Sequence, residues 1–182
     1  MVVPRSWKHA DAVAATREFL SHRPPRQGAI RALMKELISE DPFARRCAAD
    51  LARRVSESEP GILSGYSDVL IDLAPEIRLD EWPARGHVLL AAASNTTSRA
   101  QRLRLAPLAR AMVEDDRNAL RAIALEAFAV LAAAEPELRE EGVVLLENAR
   151  REGTAAMRAR ARRMLVMLMD PKKAGPRSRT RR

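Results

Sequence analysis

Residues 41–55 read DPFARRCAADLARRV, and the spacing of their apolar side chains decides the fold class. Counted from Arg45, apolar residues follow 3, 6, 7 and 10 positions further on. These offsets lie along one face of an α-helix. Asp41 and Pro42 are typical of a helix start, because an aspartate accepts hydrogen bonds from the free backbone N–H groups and proline suits the first turn. The stretch therefore predicts an amphipathic helix.

The same pattern returns along the chain every 36 to 40 residues, and periods of this length indicate stacked helical units. Its anchor residues are His9, Arg45, Arg85, Arg121 and Arg158. Only Thr16 and Asn95 interrupt the apolar columns at offsets 3, 6, 7 and 10. A second apolar stripe, at offsets 24 and 28, predicts a second helix in each of four repeats. Its members are Leu33, Val69, Ala109 and Leu145, and then Leu37, Leu73, Val113 and Ala149.

Prolines and polar residues mark the bend between the two helices of each repeat. Pro24, Pro60 and Pro136 stand 15 residues after their anchors, and proline ends a helix interior. The third repeat has polar residues at 94–98 instead, which favour turns. The second interval is four residues longer than its neighbours, which predicts a longer loop over residues 75–81. In this loop Asp80 and Glu81 are expected to accept hydrogen bonds from the start of the next helix.

The arginine anchor, the apolar pairs, the bend and the second amphipathic helix resemble HEAT repeats over about residues 7–169. Residues 41–45 are similar to the opening of such a repeat, and arginines 45, 85, 121 and 158 stand where that family often keeps one. The resemblance implies an all-α fold, an α-α superhelix (armadillo-like solenoid) of about four and a half helical hairpins. Four hairpins would be followed by one first helix over about 154–169. It also implies a binding scaffold, because HEAT arrays serve mostly in that way.

Composition agrees with a helical, intracellular protein. The 182 residues are 47% hydrophobic and only 3% aromatic, with 7 Gly, and such compositions favour helix over sheet. A single cysteine excludes a disulfide framework and multi-cysteine metal sites. No apolar run approaches the length of a membrane span, so no membrane association and a cytoplasmic location are expected.

Positive charge is concentrated at the C-terminal end. Residues 1–149 have a net charge of −2, whereas residues 150–182 have a net charge of +10. Residues 171–182 contain six positive charges, no acid and no large apolar residue. Such a segment cannot bury enough surface to offset its ordering entropy. We therefore predict one domain over residues 1–170 and a basic disordered tail over 171–182.

Residues for catalysis are mostly missing. His9, His22 and His87 have no partner at metal-binding spacing, and the glycines form no phosphate-binding loop. Cys47 lies beside the apolar column, where a packed core thiol is commoner than a nucleophile. We expect no enzymatic activity, no cofactor and no metal site.

The outward rows of the second helices are the expected binding face of such an array. Charged residues dominate these rows in the first repeats and apolar residues in the last two. This change favours a protein or helical-peptide partner over a phosphate backbone. The residues predicted to bind it, on the concave face that the resemblance implies, are Leu108, Met112, Val143 and Val144.

Nucleic acid is the alternative partner, bound through the basic C-terminal end. The residues for this role are Arg158, Arg160, Arg162, Arg163, Lys172 and Lys173. They would neutralise phosphates in a salt-sensitive manner, without base stacking because no aromatic residue lies among them. Two other interpretations remain open: a solubilising tail with a polar terminal cap, and an apolar surface around Val166, Met167 and Met169 that needs a partner.

A fainter resemblance concerns the HEAT-like alkylpurine DNA glycosylases, which hold a lesion's backbone with Trp, Asp and Arg. Residues 80–85 read DEWPAR and supply Asp80, Trp82 and Arg85. The chain departs from that family, because Trp7 is far away and no second aromatic residue accompanies Trp82. The alternative is that Trp82 fills the corner next to the longer loop.

Overall fold

The structure, a computed structural model, describes residues 8–21 and 27–169. Nine α-helices occur in these ranges: α1 (His9–Ser21), α2 (Gln27–Leu37), α3 (Pro42–Ser58), α4 (Ser67–Glu76), α5 (Trp82–Asn95), α6 (Arg99–Val113), α7 (Asn118–Ala134), α8 (Arg139–Glu152) and α9 (Ala155–Met169). Short 3₁₀ turns precede α4, α5 and α8. The two ranges contain no strand, so the predicted all-α class is confirmed.

Helix order follows the predicted repeats. The anchor residues lie in the odd-numbered helices, and the predicted second helices are the even-numbered ones. The last helix, expected over about 154–169, is α9. The turn predicted at 94–98 is confirmed at 96–98, between α5 and α6, and Pro60 and Pro136 lie in connections as expected. Pro24 and the predicted tail at 171–182 lie outside the described residues.

Two compact units divide the chain, Met1–Leu108 and Ala109–Arg182, with the boundary inside α6. In the first unit α3 packs against α1, α2 and α5, and α5 also packs against α4. In the second unit α7, α8 and α9 pack against one another. The prediction of one domain over residues 1–170 stays a prediction.

The apolar columns of the first helices form the interior of each unit. The column at offset 3 is buried in all five repeats: Ala12, Ala48, Val88, Ala124 and Ala161. From the second repeat onward the other three columns are buried as well. Of the two interruptions, Thr16 is half-buried and donates its hydroxyl to the Ala12 carbonyl at 2.7 Å. Asn95 is fully buried.

Anchor arginines bind the end of the preceding second helix. The Arg121 Nε donates to the carbonyl of Val113, the last residue of α6, at 2.9 Å. The Arg158 Nη1 donates to the carbonyl of Gly153, which follows α8, at 2.6 Å. The last four carbonyls of a helix have no partner within it and carry its negative dipole end, which a guanidinium suits. Each arginine therefore fixes the start of its own repeat to the end of the preceding one.

Arg45 makes the same contact and one more. Its Nη1 donates to the Ser39 carbonyl just after α2, while its Nε and Nη2 donate to the Glu81 carboxylate at 2.8 and 2.7 Å. This pairing with Glu81 raises the pKa of Arg45. Arg85 differs from the other anchors, because its Nε is buried without a hydrogen-bond partner. The connection before Arg85, residues 77–81, is also the longest of the four that precede an anchor arginine.

The predicted helix caps are partly confirmed. Asp41 accepts a hydrogen bond from the Phe43 N–H at 2.9 Å at the start of α3. The prediction was wrong for Glu81, because the side chain of this cap residue makes no cap hydrogen bond at the start of α5. Asp80 accepts from Arg78, and Glu81 instead pairs with Arg45. A charged guanidinium is a stronger partner than a neutral backbone N–H.

The predicted register is wrong in α4. Val69, expected in the core, is 46% exposed, whereas Leu70, Ile71 and Ala74 are buried. A 3₁₀ turn leads into α4, and its three residues per turn rotate the following helix relative to a continuous α-helix. The loop is also shorter than predicted, since Pro75 lies inside the last turn of α4.

Asn95 is the centre of a buried hydrogen-bond network. Its Oδ1 accepts from the Leu63 N–H at 2.7 Å, and its Nδ2 donates to the Ser56 hydroxyl and the Ala91 carbonyl, both at 2.7 Å. The Ser67 hydroxyl donates to the Asn95 carbonyl. The network joins the ends of α3 and α5 to the start of α4. A polar residue therefore interrupts the apolar column for a structural reason.

Asn95→Leu restores the apolar column in sequence, yet we expect it to destabilise the protein by about 1–3 kcal/mol. Leucine has a similar size but leaves the buried Leu63 N–H without an acceptor. Urea unfolding of the wild type and the variant measures the difference. Asn148→Leu, at an exposed position of α8, is the control and should change stability by less than about 0.5 kcal/mol. Equal or greater stability of Asn95→Leu would contradict the assignment.

Candidate partner-binding surface

In the second unit α8 lies close to α7 because Gly142 has no side chain. A Cβ atom at this position would stand 2.9 Å from the Ala132 Cβ of α7 and 3.4 Å from the Leu168 Cδ1 of α9. Leu146 and Ala149 are buried on the same side of α8. The close approach fixes which side of α8 faces outward, and Val144 lies on that side, 53% exposed.

The predicted partner-binding residues differ in accessibility. Val144 is exposed, and Val143 beside it is half-buried, as is Leu108 in α6. Met112, also in α6, is only 5% exposed. Met112 is thus a core side chain, because α6 turns this position inward. Of the predicted residues on α8, both valines are at least partly accessible.

An ion pair joins α8 to the end of α6. The Arg110 guanidinium donates to both carboxylate oxygens of Glu141, one of them at 2.6 Å. This pairing raises the pKa of Arg110 and lowers that of Glu141. Arg110 also lies over the Phe128 ring, 5.7 Å from its centroid, within the range of a cation–π contact. Arg110 therefore fixes the position of α8 through Glu141 while it packs on the Phe128 ring of α7.

Most of the predicted nucleic-acid-binding arginines already have partners. Arg160 and Arg163 of α9 pair with Glu126 of α7, at 3.3 and 2.8 Å. Arg158 donates to a backbone carbonyl, as described above, and Arg162 is exposed. Lys172 and Lys173 lie outside the described residues. Two of the four arginines thus share one carboxylate, which offsets one of their two positive charges.

Exposed apolar side chains also occur on α9. Val166 is 53% exposed and Met169 is 76% exposed, while Met167 is half-buried. The opposite side of α9 is buried against α7 and α8 through Met157, Ala161, Met164, Leu165 and Leu168. The apolar surface that the sequence predicts around these residues is therefore present at Val166 and Met169.

A recurring acid–base contact between first helices was not found by sequence reasoning. Glu126, five residues after one anchor, meets Arg160, two residues after the next. Asp50 and His87 occupy the same two offsets in the first unit, with Oδ1 and Nδ1 3.9 Å apart. Comparing the charges at offsets 5 and 2 in neighbouring repeats would have revealed the pattern. In the second unit this ion pair holds α7 to α9, whereas in the first unit the His87 Nδ1 makes no hydrogen bond to Asp50.

His87 is neutral at physiological pH. Burial, together with the positive charges of Arg53, Arg54 and Arg46, lowers its pKa to about 4, although Asp50 acts in the opposite direction. Asp50 is itself buried and bound by Arg53 and Arg54, at 2.7 and 2.9 Å. Its charge is therefore already balanced without a proton on the imidazole.

The residues considered for catalysis do not form a site. Cys47 is a free, buried thiol whose pKa burial raises to about 11. Within residues 8–21 and 27–169 no three His, Cys, Asp or Glu side chains are grouped to hold a metal ion. His22 lies outside these ranges, and α1 contains His9.

The residues of the fainter resemblance have different surroundings. Asp80 is exposed and paired with Arg78. Trp82 is half-buried at the first position of α5, and the Arg85 Nε is enclosed without a partner. Nearby, an open cleft is lined by Leu37, Ile38, Arg45, Leu73, Glu76, Ile77, Arg78 and Glu81. Glu81 pairs with both arginines of this cleft.

Comparison of the chain with protein-family models, curated proteins and solved structures gives no match. Among the described helices, none has the length and apolar character needed to cross a bilayer. The residues themselves are therefore the basis for any functional proposal.

Stability should fall as the pH decreases from 7 to 5, by about 2 kcal/mol from His87 alone. The unfolded chain takes up a proton at His87 near pH 6.5, whereas the folded chain does so only near its pKa of about 4. Protonation thus favours the unfolded state in this window. Urea unfolding at several pH values measures the loss, and His87→Gln should be flatter between pH 7 and 5. Because both proteins retain His9 and His22, an identical pH dependence would refute this assignment.

Proposed function

We propose that the protein is a non-enzymatic interaction scaffold of the HEAT-repeat kind, an α-α superhelix that binds a protein or helical peptide on its second helices. The observation that carries the proposal is Val144, 53% exposed in the middle of α8, beside the half-buried Val143. Exposed apolar groups on a fixed helix offer a partner surface that gains free energy by burial, about 25 cal/mol per Å².

Rigid support favours this use of α8. Gly142 places the helix directly against α7, and Glu141 ties it to Arg110. A side chain that is already held in position loses little conformational entropy when a partner binds. The two valines are therefore better suited to binding than apolar residues on a loop.

A non-enzymatic role agrees with the chemistry of the candidate nucleophile. With a pKa of about 11, the Cys47 thiol is protonated at neutral pH, and its sulfur is buried. The thiolate is the reactive form of cysteine, so Cys47 is suited to packing.

Val144→Glu should leave the helical circular dichroism spectrum unchanged and reduce partner capture from a cell lysate at least tenfold. A carboxylate at this position would have to be desolvated when the partner covers it. Val69→Glu is the matched control, since Val69 is 46% exposed in the first unit, and it should retain capture. Equal capture by both variants would exclude α8 as the binding helix.

A second candidate is a nucleic-acid-associated protein, favoured by the net charge of +10 over residues 150–182. It predicts DNA or RNA binding that weakens steeply with salt. The double variant Lys172→Glu, Lys173→Glu should weaken this binding more than Arg162→Glu does. Absence of binding at about 100 mM salt and micromolar protein would refute it. A degenerate relative of the glycosylases would instead release bases from alkylated DNA, and Trp82→Ala would abolish the release.

A further inference from the structure

The outward face of α9 combines apolar and positively charged side chains. Residues spaced by three or four positions share one side of a helix. On α9 such residues are all exposed: Ala155, Ala159, Arg162, Val166 and Met169. Arg158, one turn from Arg162, is exposed as well. The helix contains no acidic residue, so nothing on it offsets these charges.

We propose that this face, made of Ala159, Arg162, Val166 and Met169 with Arg158 at its edge, binds an acidic amphipathic helix of a partner protein. The inference rests on the scaffold function proposed above and adds the partner's chemistry and a second contact helix. Apolar residues of the partner pack on Val166 and Met169. Its carboxylates face Arg158 and Arg162, since opposite charges around an apolar contact set orientation and specificity.

Charge complementarity argues against the two occupants that this chain itself could supply. Residues 171–182 carry six positive charges and no acid, so they would be repelled by Arg158 and Arg162. A second copy that pairs α9 with α9 would bring no carboxylate to these arginines, because the helix contains no acidic residue. An acidic helix has neither cost.

The exposed apolar side chains favour a helix over nucleic acid. Glu126 holds Arg160 and Arg163, and Arg158 already donates through Nη1 to the Gly153 carbonyl. Phosphates would meet the same two exposed guanidiniums, Arg158 and Arg162, as carboxylates would. Unlike an amphipathic helix, however, they would leave Val166 and Met169 in water.

The test uses displayed peptides of about 18 residues, roughly five helical turns, selected on the full-length protein. Leucines are fixed at a helical spacing, and each of the remaining positions is randomised among Glu, Lys and Gln. We expect Glu to be enriched over Lys beside the leucine stripe. The selected peptide, measured by fluorescence anisotropy, should bind Val166→Glu and Arg162→Glu at least tenfold more weakly than the wild type.

A charge exchange separates recognition from unfolding. Arg162→Glu should bind a Lys-flanked version of the peptide better than the wild type does, and Met169→Glu, at a 76% exposed position, should lose binding with an unchanged helical spectrum. No acidic enrichment, unchanged binding by Val166→Glu, or selective binding of an RNA oligonucleotide at this face would overturn the proposal.

The two proposals have distinguishable failures. If Val144→Glu abolishes capture of a partner while Val166→Glu does not affect the selected peptide, the scaffold on α8 stands and the role of α9 falls. If Val166→Glu abolishes peptide binding while Val144→Glu leaves capture intact, the face on α9 stands and the assignment to α8 falls.

Discussion

The hydrogen bond from an anchor arginine to the end of the preceding second helix is the contact on which the repeats depend. A helix leaves its last carbonyl groups without partners within the helix. A chain built of many short helices therefore has many such groups. Arg121 and Arg158 satisfy such groups from the first turns of the following helix. Because the arginine precedes the buried columns by a constant number of residues, the same contact that closes one helix sets the register of the next.

The third repeat shows what happens when this contact is lost. Its Arg85 Nε is buried without a hydrogen-bond partner, and two other interactions hold the region. Glu81, within the extra segment, binds Arg45, and the buried Asn95 joins three chain segments through its amide and its carbonyl. Both groups are polar and largely enclosed, and they are tolerated because each is hydrogen-bonded.

Contacts between first helices also shape the surface available to partners. Glu126 draws Arg160 and Arg163 onto α7 and offsets one of the positive charges of α9. Arg162, Val166 and Met169 remain exposed on the other side. Together with Val143 and Val144 on α8, these residues favour a helical protein partner, and the proposed mechanism is complementarity of shape and charge.

The amino-acid sequence by itself determined the helices, their order and the columns of residues 48, 51, 52 and 55 with their equivalents, because helical periodicity and proline bends are local properties. It did not determine the register of α4, the burial of Met112 or the partners of Glu81 and Glu126. The partners of Glu81 and Glu126 are more than 30 positions away, and the chain brings them together only on folding. Asn95 illustrates the difference: in sequence it interrupts an apolar column, and only the tertiary structure supplies the Leu63 N–H and the Ser56 hydroxyl that make a buried amide favourable there.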